Sequence, residues 1–147
     1  MIAGYEIGNS TVATPGSASA AVELRAPTRR LKVRETGLFS QAATAVRFAI
    51  GRPAAVGVTP STQSTAQPQD PADAAGTGIS VISWGTAPTV PATFLRQADF
   101  NNVVGSGMIW TWPSDGELIV PTSGTISIVY WFITAGPTCD FYFVLSE

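Results

Sequence analysis

The stretch Thr125-Ile126-Ser127-Ile128-Val129-Tyr130-Trp131-Phe132-Ile133-Thr134 decides the fold class. In an extended chain Ile126, Ile128, Tyr130 and Phe132 share one face, and Val129, Trp131 and Ile133 share the other. A strand that is apolar on both faces belongs at the centre of a sheet or beneath a neighbouring subunit. Working outward, the two-residue period recurs. Val22 and Leu24 oppose Glu23 and Arg25, while Leu31 and Val33 oppose Arg30, Lys32 and Arg34. Val46, Phe48 and Ile50 leave Arg47 facing outward until Gly51-Arg52-Pro53 ends the run. Segments 79–84, 93–98, 108–112, 117–120 and 139–145 are each bounded by Gly, Pro, Asp or Ser, which gives about nine strands in all.

No helix competes with this pattern. The 14 Gly and 11 Pro cut the chain into short pieces, and the Ala-rich stretch 40–44 is long enough only for a helical turn. Many short strands with Gly and Pro turns predict an all-β chain folded as an antiparallel β-sandwich. A single Cys excludes the Cys-Trp-Cys signature of immunoglobulin domains, so the expected topology is a jelly roll. Positions 60–78, PSTQSTAQPQDPADAAGTG, lack periodicity and predict a long surface loop. At 147 residues the chain forms one sandwich domain over 20–147, with 1–19 an N-terminal arm or edge strand.

Charge is scarce and unevenly placed. Arg25, Arg29, Arg30, Lys32, Arg34, Arg47 and Arg52 lie among positions 25–52 with Glu35 as the one acid, so that segment carries +6 and the remainder −8. If their strands are neighbours, Arg25, Arg30, Lys32, Arg34 and Arg47 form one basic outer patch, either a solvated face or a docking site for an acidic protein surface. Nucleic acid is not an expected partner, because the net charge is −2 and the aromatic residues lie in other strands. No membrane span is expected either, since the longest apolar run falls far short of the ~20 residues required. The segment Met1-Ile2-Ala3-Gly4-Tyr5-Glu6 lacks the basic leader of a secretory signal.

Catalytic constellations are hard to assemble. The absence of His removes serine and cysteine triads and the commonest metal ligand. Asp99, Asp115, Glu117 and Asp140 are the candidates for a carboxylate pair, but Asp115 and Glu117 flank Gly116 in a hairpin turn. Asp70 and Asp73 alone match no calcium loop, and Gly105-Ser106-Gly107 is followed by neither a helix nor a Lys. Cys139 reads as a small buried hydrophobe. The expectation is therefore a non-enzyme without cofactor or metal. Trp110, Trp112, Tyr130, Trp131, Phe141 and Phe143 form either core or an oligomer interface. Trp110 and Trp112, two apart on one strand, would alternatively stack on sugars.

Several stretches carry a resemblance. Phe94-Leu95-Arg96-Gln97, Gly105-Ser106-Gly107-Met108-Ile109-Trp110-Thr111-Trp112-Pro113 and Leu118-Ile119-Val120-Pro121 are among them. Ser127-Ile128-Val129-Tyr130-Trp131 and Asp140-Phe141-Tyr142-Phe143 are the others in the second half, joined by Gly51-Arg52-Pro53 and the loop Gln67-Pro68-Gln69-Asp70-Pro71-Ala72-Asp73. Over positions 28–147 the chain resembles small virion structural proteins of tailed bacteriophages. The resemblance implies a capsid decoration (cement) protein on the outer surface of the phage head, made in the host cytoplasm, or else a fibre or tail component that binds host sugars. Its implied partners are the major capsid protein and two further copies of itself, as a β-sandwich homotrimer. A charged fraction of 12% and a strongly apolar second half also favour an oligomer.

Overall fold

A computed structural model describes residues 3–12 and 18–147, and these form an all-β sandwich without a helix. The strands are β1 (Gly4–Ser10), β2 (Ser19–Arg25), β3 (Leu31–Ser40), β4 (Val46–Gly51), β5 (Val58–Thr65) and β6 (Gln67–Pro68). They continue as β7 (Ile79–Thr86), β8 (Arg96–Phe100), β9 (Gly107–Thr111), β10 (Leu118–Val120), β11 (Ile128–Phe132) and β12 (Cys139–Ser146). The first sheet runs β10-β3-β12-β1-β6, with β9 sharing the β3 edge beside β10, and the second runs β5-β7-β2-β11-β4-β8. Every pairing is antiparallel.

The doubly apolar stretch lies at the centre of the second sheet. β11 pairs with β2 on one side and β4 on the other, and all five of its residues are buried. Ile128, Tyr130 and Phe132 join the main core between the sheets. The Tyr130 ring meets Trp110 at 5.9 Å, Phe143 at 5.9 Å and Phe48 at 6.3 Å. Its hydroxyl and Thr36 Oγ1 share a 3.0 Å hydrogen bond, and Thr36 donates to the Tyr142 carbonyl at 2.8 Å, so the buried tyrosine hydroxyl is paired.

Val129 and Trp131 point the other way and are buried by the chain itself. The connections from β4 to β5 and from β7 to β8 form a flap over the outer face of the second sheet, where Ala54 and Ala55 bridge to Thr89 at 2.9 Å and the Leu95 amide reaches the Ile50 carbonyl at 2.8 Å. Phe94 packs against Trp131 at 6.4 Å, and Ala49, Val129 and Trp131 become a second small core. This flap is locked by Glu23, which is fully buried. Glu23 Oε1 accepts from Ser127 Oγ at 2.6 Å and from the Gly57 amide at 3.4 Å. Its Oε2 accepts from Arg25 Nη2 and Trp84 Nε1, both at 2.8 Å, while Arg25 also donates to the Gly57 carbonyl. A side chain at Gly57 would run into the Trp84 ring, so this close approach requires glycine.

Three strands exceed the sequence expectation of about nine: β1, β5 and β6. The stretch read as a loop over 60–78 contains most of β5 and all of β6, leaving Ala66 and 69–78 outside strands. β5 is an edge strand, paired only with β7 and exposed along most of its length, so neither face demanded alternation. Its register shifts between Pro60 and Thr62 and again between Thr62 and Gln63, which accommodates a proline that cannot donate to a ladder. Gly4–Ser10, within the segment read as an arm or edge strand, pairs with β12 over seven positions and with β6, and buries Tyr5 and Ile7 in the core. Positions 1, 2 and 13–17 of that segment lie outside the described residues. The strand expected over 93–98 begins at Arg96, and within 40–44 Ser40 ends β3 and 41–43 form bends rather than a helical turn.

Breaking a buried ion pair by deleting one partner costs about 3–5 kcal/mol, because the other charge stays buried and unpaired. Glu23→Ala should lower unfolding stability by about that amount in chemical denaturation, with Trp84 fluorescence reporting release of the flap.

Candidate functional site

The five basic candidates do not form one patch. β3 belongs to the first sheet, whereas β2 and β4 belong to the second, so their outward faces lie on opposite sides of the sandwich. Arg25 is bound to the Glu23 carboxylate inside the flap. Arg47 pairs with Asp99 at 3.0 Å across β4 and β8, an exposed pair that contributes little to stability. Arg30, Lys32 and Arg34 remain together at the start of β3, and they form no ion pair among the described residues.

Two arginines outside the expected patch reach the same margin. Arg52, just past β4, donates to the Ile119 carbonyl at 2.8 Å, and Ile119 pairs with Lys32. Arg96 of β8 lies over the Trp112 ring at 4.5 Å and donates to the Thr111 carbonyl at 3.3 Å, and the Trp112 amide donates to the Arg34 carbonyl at 2.8 Å. The margin where β3 meets β9 and β10 therefore collects Arg30, Lys32, Arg34, Arg52 and Arg96. The clue to the last two was positional: each lies at one end of a strand of the second sheet, where a long side chain can reach the edge of the other.

Trp110, Tyr130, Phe141 and Phe143 lie in the main core and Trp131 lies under the flap, all inside the fold of the one chain. Trp112 is half-buried beneath Arg96. Neither tryptophan of the 110/112 pair is free to stack on a ligand.

The carboxylates are mostly structural. Asp70 accepts from the Ala72 amide at 2.9 Å, and Gly116 closes the turn around Asp115 through the Pro113 carbonyl at 2.9 Å. No three His, Cys, Asp or Glu residues gather as a metal site among the described residues. Cys139 is buried, and burial pushes its thiol up to about 12. At one end of the sandwich Pro27, Val56, Ile79 and Pro121 line a cavity of about 180 Å³, which holds no acid pair.

The outward face of the first sheet is different. Cross-strand register places three rows side by side: Ser10, Asp140, Phe39 and Gly107; then Gly8, Tyr142, Gly37 and Ile109; then Glu6, Val144, Glu35 and Thr111. Phe39 and Tyr142 are nearly parallel, with an interplanar angle of 14° and centroids 6.4 Å apart. A Cβ at Gly37 would strike the Tyr142 ring and one at Gly107 the Phe39 ring, so the glycines are what let both rings lie down along the sheet. Tyr142 donates to Glu35 Oε1 at 2.7 Å. The sequence reading missed this pair, although alternation along β12 already sets Tyr142 opposite Phe141 and Phe143.

No protein-family model matches this chain, and no curated protein is similar to it.

Desolvation, followed by the hydrogen bond to Glu35 and repulsion from that carboxylate, pushes the Tyr142 phenol up to about 12 from 10.0. The folded chain holds this proton more tightly than the unfolded chain. The associated stability is therefore complete below pH 10 and is lost as pH rises through about 12. Ultraviolet titration of phenolate absorbance should show Glu35→Gln moving this midpoint down towards 10.0.

Proposed function

We propose that the chain is a virion structural protein, a decoration (cement) protein that binds the outer surface of a tailed-phage head and stabilises it. It acts through no catalytic step. The observation that carries the reading is the set Arg30, Lys32 and Arg34 on the outward side of β3, joined by Arg52 and Arg96 and lacking acidic partners among the described residues. A cluster of this sign on a chain of net charge −2 suits electrostatic docking onto an acidic coat-protein surface. The resemblance of positions 28–147 to phage virion proteins supports the same assignment.

The strand pairings also support a jelly roll: β1 with β12, β2 with β11, β3 with β9 and β10, and β4 with β8, nested from the termini inward. Association as a homotrimer belongs to this reading. The apolar residues offered for it are Leu95, Val103 and Val104, each exposed in the chain. A fibre or tail module that stacks sugars on Trp110 or Trp112 has no support from the placement of those rings.

The test is binding to isolated heads lacking the protein. Saturation at fixed stoichiometry and a raised temperature of head rupture are expected, with a native mass near three times 15.3 kDa by light scattering. Replacing Arg30, Lys32 and Arg34 together by Glu should weaken head binding at least about tenfold. Folding stability should change by under about 0.5 kcal/mol per site, as at most exposed positions. Heads equally stable with and without the protein would sink the assignment.

A further inference from the structure

We infer that the outward face of the first sheet, at the Phe39 and Tyr142 rings, is a binding platform for neutral glycan chains. The proposal is independent of the head-docking cluster, which lies at the opposite end of β3. Four observations support it. The two rings are nearly parallel, at 14°, and lie over Gly37 and Gly107 rather than standing up from the sheet. They present a flat apolar strip two rings long, matched to the C–H face of a pyranose and poorly matched to the protruding side chains of a protein partner.

Second, the strip is fixed in place. Tyr142 is tied to Glu35 at 2.7 Å, and Ile109, which is 50% exposed, extends the apolar row beyond Gly37. Little order has to be imposed when a ligand arrives. Third, hydrogen-bonding groups border the strip. Glu35, Glu6 and Thr111 occupy one flanking row, and Glu6 Oε1 accepts from Gln69 at 2.9 Å. Asp140 and Ser10, joined at 2.6 Å, stand beside Phe39 in its own row. Carboxylates bordering aromatic rings accept hydrogen bonds from sugar hydroxyls.

Fourth, charge selects among occupants. Glu6, Glu35 and Asp140 repel nucleic acid and anionic polysaccharides at this end of the face. A symmetric contact with its two-fold axis at the rings would bring the same three acids close to one another. A neutral, hydroxyl-rich chain carries neither penalty.

The test uses the full chain with cellohexaose, chitohexaose and maltohexaose as probes. In amide-resolved nuclear magnetic resonance titrations, at least one of them should shift Gly37, Phe39, Gly107, Ile109 and Tyr142 as a contiguous set. Phe39→Ala and Tyr142→Ala, checked for folding by circular dichroism, should each weaken that binding at least tenfold, whereas Tyr142→Phe should keep most of it. The wild-type shift map stands without the variants should either fail to fold. Absence of shifts with all three probes, or shifts confined to another face, would overturn the proposal. So would a fall in native mass in Tyr142→Ala, which would make the face a contact between copies. Head binding should be the same in Tyr142→Ala as in the parent, so failure here and failure of the decoration reading are separable.

Discussion

The Glu23 carboxylate holds the outer layer of this protein to its sandwich. It is fully enclosed, and each of its oxygens has two donors, from β2, the stretch before β11, the start of the flap and the far end of β7. A charge at such a depth is tolerable only when every lone pair is answered. The demand works in both directions: the flap must close to satisfy Glu23, and closure puts Trp131, Val129 and Ala49 out of water. The central strand of the second sheet is thus dry on both faces, with the flap tied to Glu23 at Gly57 and Phe94 lying over Trp131. The chain consequently needs no neighbouring subunit to shield its most apolar segment.

Much of this could be read in the sequence, and the remainder was hidden for identifiable reasons. Alternation located β3, β4, β11 and β12 because each has at least one face in the core, and burial is what writes the period. β5 has no such constraint; it meets water on both faces and pairs on one side, so Pro60, Ser61 and Thr62 carry no pattern. β6 is only two residues long, below the length at which any period exists. Glu23 looked like an outward, solvated acid because sequence alternation cannot show that a loop will return to cover the second face. The same blindness put Arg25 in a surface patch when its guanidinium is occupied inside.

The basic set failed as a single patch for a topological reason. Successive strands β2, β3 and β4 alternate between the two sheets, so residues close in sequence face opposite sides. What survives is local to β3, and it is completed by Arg52 and Arg96 reaching across from the other sheet. Along β3 the outward face then changes character within a few residues. Arg30, Lys32 and Arg34 are cationic, and beyond Glu35 the surface becomes aromatic with acidic borders. One strand therefore offers two chemically opposed surfaces, and a partner suited to one end is unsuited to the other.

The place of β12 in the first sheet has a consequence for how the chain reaches its native state. β12 is hydrogen-bonded to β1 on one side and β3 on the other, although those strands precede it by about a hundred residues or more. During synthesis β1 and β3 emerge long before the strand that joins them, and each then presents an unpaired edge. Such edges recruit strands from other chains. Loop closure over so great a separation is slow, and folding of this sheet has to wait until 139–146 has left the ribosome. High expression would favour mispaired assemblies over the native sandwich. The short β6 and the polar, irregular β5 limit that risk once folding is complete, by leaving the finished sheets with unattractive outer edges.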